Sequence, residues 1–148
     1  MKPYYRQATI KDAFHVVNNI RVEDKAEIEG LGHSITAIPF SVLISKPSVA
    51  FFNKNNELCG VAGIVPESDR IGQVWMICTP AITHNPHTFI REAKRWLSEQ
   101  HGFSMLYNIA DSRNLLHQKM LKLLGFKSLQ EVVLPNGLVY KEIVKLCV

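Results

Sequence analysis

Several things are missing from this sequence, and each absence narrows what it can be. No apolar run approaches the roughly 18 residues of a membrane-spanning helix, so no membrane role is expected. The first residues, MKPYYRQATIKDAF, lack the apolar core of a secretory signal. No segment repeats, none is of low complexity, and none reads as a linker. Cysteine is scarce. Cys59, Cys78 and Cys147 are odd in number and lack CxxC spacing. That argues for reduced thiols in a cytosolic compartment and against a disulfide framework. A strong charge of one sign is lacking too. Seventeen Lys and Arg against thirteen Asp and Glu leave a net +4, with the basic residues dispersed. This bias suits a phosphorylated cofactor or an acidic partner better than nucleic acid, which calls for a clustered basic stripe.

What remains is an ordinary globular composition, 47% hydrophobic and 20% charged over 148 residues. That length suits a single domain, residues 1–148, with a proper core. YYRQATI reads as a first strand. Thr9, with Asp12 three residues later, has capping-box spacing and opens one helix or two short ones, ended by Gly30 and Gly32. ITAIPFSVLIS reads as a further short helix. SVAFFN and LCGVAGIV flank KNNE as a hairpin, and QVWMICT is an apolar run of buried-strand length. Phe89, Ile90, Ala93, Trp96 and Leu97 make a helical stripe closed by Gly102. FSMLYNIA is a strand, a helix over 113–124 follows with Gly125 at its end, and a hairpin about PNG completes the chain. The order predicts an α/β domain with a mixed sheet and helices on both faces. Strand 73–79, helix 86–100 and strand 103–110 form a crossover, so those strands should be parallel neighbours.

Two strand-to-helix junctions carry the polar residues. At THNPHT, Asn85 before Pro86 reads as an N-cap, and the first amides of that helix offer an anion site beside His84 and His87. A plain capped helix explains the same residues. At the second, Asn108, Asp111, Ser112, Arg113 and Asn114 precede a helix expected to bury Leu116, Met120, Leu123 and Leu124 and to show His117 outward. Ligands of open α/β sheets bind beyond the carboxyl ends of parallel strands, so the two junctions are expected to frame one crevice. Asn108, inside a strand, needs a hydrogen-bond partner and is expected to brace the 111–114 turn. Arg21, Asp24 and Glu27, at i, i+3 and i+6, read equally as a solvated helix face and as a substrate-binding one. His84 and His87 lack further ligands placed by the sequence, so no metal is expected.

The spacing Asn114, His117, Leu121, Gly125-Phe126 resembles the last motif of GNAT-fold acyl-CoA-dependent N-acyltransferases. Strings at Arg21-x-x-Asp24-x-x-Glu27-Ile28, Trp75…Thr79, Phe89-x-Arg91 and Asn108-x-x-Asp111-x-Arg113-Asn114 are similar to a branch of small phage-encoded proteins that includes internal virion proteins. The resemblance runs from about residue 4 to residue 140. It implies a GNAT-like fold with a central, mostly antiparallel twisted sheet, and acetyl-CoA or CoA as ligand. The pantetheine arm would lie along Met76, Ile77, Cys78 and Thr79. The pyrophosphate would sit on Thr83, His84, Asn85, His87 and Thr88, with Asn114 framing the pantetheine. The implied activity is acetyl transfer to an amine on a small molecule or a host protein, in the bacterial cytoplasm. A fold that has lost catalysis and binds a host enzyme, or sits inside a virion, is the alternative.

The departures from that family are specific. Its glycine-bearing phosphate loop has no counterpart, because residues 73–101 contain no glycine. Leu121 stands where the family has a tyrosine that protonates the leaving thiolate. An attacking amine needs a base, for which Glu27, Asp24 and His33 are candidates, with His117 as a proton donor. A covalent route through Cys78 lacks an evident activating partner.

Overall fold

A computed structural model describes residues 2–147. The chain runs β1 (Tyr4–Gln7), α1 (Ile10–Asn18), α2 (Val22–Gly30), α3 (Ala37–Ile44), β2 (Ser48–Phe52), β3 (Leu58–Ser68) and β4 (Ile71–Cys78). A 3-10 turn (Pro80–Thr83) leads to α4 (Pro86–Ser98), β5 (Met105–Asp111), α5 (Leu115–Leu123), β6 (Lys127–Val133) and β7 (Val139–Leu146). Thr9 caps α1 as its spacing predicts. Its hydroxyl accepts from the Asp12 amide at 3.2 Å, and the Asp12 carboxylate accepts from the Thr9 amide at 2.8 Å. The early helical stretch divides in two, and Pro39 sits in the first turn of α3, where a missing N–H costs nothing.

The seven strands form one sheet in the order β1-β2-β3-β4-β5-β7-β6. Every neighbouring pair is antiparallel except β4 and β5, which are parallel as the crossover predicts. On one face α1 and α3 bury Ala13, Val16, Ile38 and Val42 against Ala50 and Val61. On the other, α4 and α5 bury Phe89, Trp96 and Met120 against Phe51, Ile64 and Leu106. Burial of such side chains contributes about 1.5–3 kcal/mol each. These two layers fix the sheet. The outlier is α2, which buries a single residue, the charged Asp24.

The parallel pair is short. Register holds at Ile71–Met105, Gly72–Leu106 and Gln73–Tyr107, and then the strands part. The phase of β4 decides what that parting exposes. Thr79 N–H donates to Cys59 O at 2.9 Å. Rungs of an antiparallel ladder alternate, so Ile77 and Trp75 also bond β3, while Cys78, Met76 and Val74 aim their backbone groups toward β5.

Candidate active site

The parting of β4 and β5 opens a cavity of about 80 Å³, walled by Trp75, Met76, Asn108, Ile109, Leu121 and Phe126, with Glu27 and His117 as its ionisable residues. The walls are mostly apolar, so a charged group here loses hydration. Burial pushes the Glu27 carboxyl up to about 7, with the neighbouring Asp24 charge adding to the rise and the hydrogen bond from Asn114 opposing it. A carboxyl that titrates near neutrality can exchange protons with an amine.

Behind Glu27 lies a buried polar cluster. Arg21 is 8% exposed, Asp24 0%, Asn114 1% and His117 5%. One Arg21 guanidinium nitrogen donates to Asp24 Oδ1 at 2.6 Å. Asn114 Nδ2 donates to Asp24 Oδ1 at 3.0 Å and to Glu27 Oε1 at 2.9 Å. Asp24 Oδ2 accepts the Cys78 amide at 2.6 Å, and the Arg21 amide donates to Cys78 O at 3.0 Å. The α1–α2 corner therefore occupies both backbone groups at the end of β4. His117 Nε2 lies 3.3 Å from Asp24 Oδ1 but off the hydrogen-bond axis, and it has no other partner. Burial pushes its imidazole below its ordinary value, which favours the neutral ring. Asp24, Cys78 and His117 each bring a donor atom within 4.8 Å of the others. The Arg21 guanidinium already supplies the positive charge at that spot.

α2 is held over the cavity by polar contacts from distant parts of the chain. Tyr140 Oη donates to Glu27 O at 2.6 Å, Asn136 Nδ2 to Gly30 O at 2.9 Å, and Arg113 to Ala26 O at 3.4 Å. Arg113 is fixed by Asp111, whose carboxylate accepts from its guanidinium at 2.7 Å and its amide at 2.9 Å. That arrangement holds the Asp111 carboxyl below its usual range even as burial pushes the other way.

The structure thus brings Glu27, Asp24, Asn114, Cys78 and His117 together, with Met76 on the same cavity. The solvated-face reading of Arg21 and Asp24 gives way, because both are buried. The expectation that α5 shows His117 to solvent is corrected: His117 is buried and Leu123 is 46% exposed. The polar residues of α2 give the imidazole neighbours, so the buried stripe runs through His117, Met120 and Leu124. Asn108 does not brace the 111–114 turn. Its Nδ2 donates to Val74 O at 2.6 Å across the parting strands.

The β4–α4 junction stands apart. Ile77 packs toward α1 and α3. The Thr79 hydroxyl donates to Leu58 O at 2.6 Å and the Thr83 hydroxyl to Pro80 O at 2.8 Å. His84 Nδ1 is 3.2 Å from Glu57 Oε1. Asn85 adopts a left-handed conformation (φ 63°) and makes no side-chain cap. Its carbonyl instead accepts the Thr88 hydroxyl at 2.9 Å and amide at 3.2 Å. Pro86 has no N–H, so His87 offers the exposed amide of this turn. None of residues 79–88 lines the cavity, and the two junctions do not share it. Burial pushes the Cys78 thiol well above its usual value, so it stays protonated and a poor nucleophile.

No protein-family model matches the sequence, and it matches no curated protein. Solved structures do match over their whole length. A chimeric spermidine N-acetyltransferase from Vibrio cholerae superposes with a TM-score of 0.69 at 15% identity, covering 99% of this chain and 96% of that one. A GNAT-family acetyltransferase from Bacillus anthracis gives 0.72 at 12%, covering 99% and 95%. One from Streptococcus pneumoniae gives 0.65 at 15%, covering 99% and 100%. With the strand order, the single parallel pair and its parting, these likenesses show that the chain has the GNAT fold.

Proposed function

We propose that the protein is an N-acyltransferase that takes an acetyl group from acetyl-CoA and delivers it to an amine. The observation that carries this reading is the cleft between β4 and β5, with the half-buried Glu27 carboxyl, pushed up to about 7, in its wall. Among the ladder groups of β4 that face the cleft, Val74 O is taken by Asn108 and both groups of Cys78 by α2, which leaves Met76 for a ligand. An ammonium cannot attack a carbonyl. Glu27 takes its proton, the free amine attacks the thioester carbon, the C–N bond forms, and the C–S bond breaks. The attacking nitrogen carries one proton too many once the C–N bond forms, and that proton passes to the leaving sulfur; His117, which burial keeps neutral, lines the wall beside them without supplying one. Thr83, His84, Asn85, His87 and Thr88 would receive the phosphates outside the cavity. The acceptor is an amine on a small molecule or on a protein. The resemblance to phage-encoded proteins makes a bacterial host protein, met in the host cytoplasm, the natural candidate.

A second reading keeps the fold without the chemistry, as a modulator of a host enzyme or a component of the virion interior. It is favoured by Asp24, which already occupies the Cys78 amide, and by the lack of glycine where phosphates would approach the backbone. Calorimetric titration with acetyl-CoA and with CoA separates the two. Binding with a Kd in the range of about 1–100 µM, followed by acetylation of an amine in a substrate panel, supports the first. No binding at millimolar ligand supports the second.

A further inference from the structure

We propose that Asn108 is the wedge that opens the cleft, a positioning residue whose carboxamide replaces one rung of the β4–β5 ladder. The rungs can be counted from the closed end. Met105 N–H donates to Arg70 O at 3.2 Å, and parallel pairing continues to Gln73–Tyr107. By the alternation of a parallel ladder, the next rung after Tyr107 would run from Ile109 N–H to Val74 O. That rung is not made. Ile109 N–H donates to Asn108 Oδ1 at 2.7 Å, and Asn108 Nδ2 donates to Val74 O at 2.6 Å. Donor and acceptor of the missing rung are both satisfied, but by opposite ends of one inserted amide. They are held apart by up to two hydrogen bonds and the width of a carboxamide.

The chemistry fixes the residue type. The inserted group must accept from an N–H on one side and donate to a carbonyl on the other, and it must do so on a short stem. Asparagine does this; aspartate would set an oxygen against Val74 O, and leucine would satisfy neither group. The orientation of the amide follows from the same demand. Gln73 Nε2, 3.4 Å from Oδ1, holds it from the closed side. The only register irregularity between β3 and β4 lies at Pro66–Ser68, near the closed end and away from the parting. A distortion of that ladder therefore does not open the cleft. Without the wedge, Ile109 N–H and Val74 O pair directly and the ladder closes by one rung over the cavity.

The wedge itself is independent of the ligand; its positioning role rests on the cleft being the acyl-CoA site. Scalar couplings through hydrogen bonds, read by NMR on the whole isotope-labelled protein, decide the first part. In the unaltered protein we expect coupling from the Asn108 side-chain nitrogen to the Val74 carbonyl carbon, and from the Ile109 nitrogen to the Asn108 side-chain carbonyl carbon. A direct Ile109-to-Val74 coupling there overturns the wedge without any variant. In Asn108→Val, the direct coupling should appear; its absence in a folded variant also overturns the proposal. Acetyl-CoA titration then reads the positioning role. We expect the variant to bind about tenfold more weakly, or worse, the loss of one good hydrogen-bonded fit. A closed ladder with unchanged affinity removes the role. If the unaltered protein does not bind acetyl-CoA, the functional reading and the positioning role fall together, while the couplings still decide the wedge.

Discussion

The two strand-to-helix junctions of this protein use similar residues for different ends. The β4–α4 junction keeps its polar side chains near the surface beyond Thr79, which is buried against the β3 backbone: Thr83 and Thr88 bond local carbonyls, and His84 reaches Glu57 across an exposed gap. The β5–α5 junction spends them on another element. Asn114 and His117 reach α2, some 90 residues back in the chain, and are buried there. Local hydrogen bonds in water are exchanged for water at little cost. Bonds between buried polar groups are not, because a broken partner is left without solvent. The exposed stretch of the first junction, residues 83–88, should therefore tolerate change, and the second junction should not.

Asp24→Ala tests the difference most harshly. It leaves the buried Arg21 with only long contacts, 3.4 Å each, to the exposed Glu23 carboxylate and to Asn114 Oδ1, and it frees the Cys78 amide; it should cost about 3 kcal/mol in chemical denaturation. A cost under about 1 kcal/mol would mean that water already reaches the cluster. Glu27→Gln comes next, and its effect depends on pH. The folded carboxyl holds its proton to about 7 against 4.5 for an ordinary glutamate, so between these values the folded state binds more protons than the unfolded one. Stability therefore falls as pH rises through that window, by on the order of 3 kcal/mol. The Gln variant should flatten this slope while abolishing acetyl transfer. A slope equal to that of the unaltered protein would place the titration elsewhere. Asn114→Ala should cost roughly 1–3 kcal/mol, since the buried Asp24 and the half-buried Glu27 each lose a donor. If its denaturation midpoint stays put, the bridge between the junction and α2 is ornamental. Smallest is the triple change of His84, Asn85 and His87 to Ala, expected to cost about 1 kcal/mol, nearly all of it from setting alanine at the left-handed φ of position 85. Acetyl-CoA affinity in the same variant reports whether the first junction has a ligand to hold.

How much of this was legible in the sequence depends on the range of the interaction. The Thr9 box, the Asn85-Pro86 helix start, the final hairpin and the parallel pair were readable, because each is written within a few residues or in a single apolar run. The resemblance drawn from Asn114 to Phe126 named the right fold. The misplacements were long-range ones. His117 looks like a surface residue on its helix until Arg21 and Asp24 arrive beside it. Asn108 was odd enough to be noticed, but its partner, Val74 O, is a backbone atom that no side-chain pattern advertises. Nothing in the Arg21-Asp24-Glu27 string told a buried face from a solvated one, since the charges that make it soluble also make it a network.

Beyond its two bonds to Cys78, α2 is held by partners made late in synthesis. Arg21 and Asp24 wait for Asn114, and the Glu27 carbonyl waits for Tyr140, 113 positions further on. On a ribosome building from the N-terminus, α1 can find α3 and the first hairpin early, but α2 has little apolar surface to join them. Its far end, where Tyr140 and Asn136 bond the Glu27 and Gly30 carbonyls, stays hydrated until the last strand emerges. The wall that carries Glu27 is thus among the last parts of the molecule to be completed. A nascent protein stalled before residue 140 would hold most of its sheet, and Glu27 would still be an ordinary surface carboxylate.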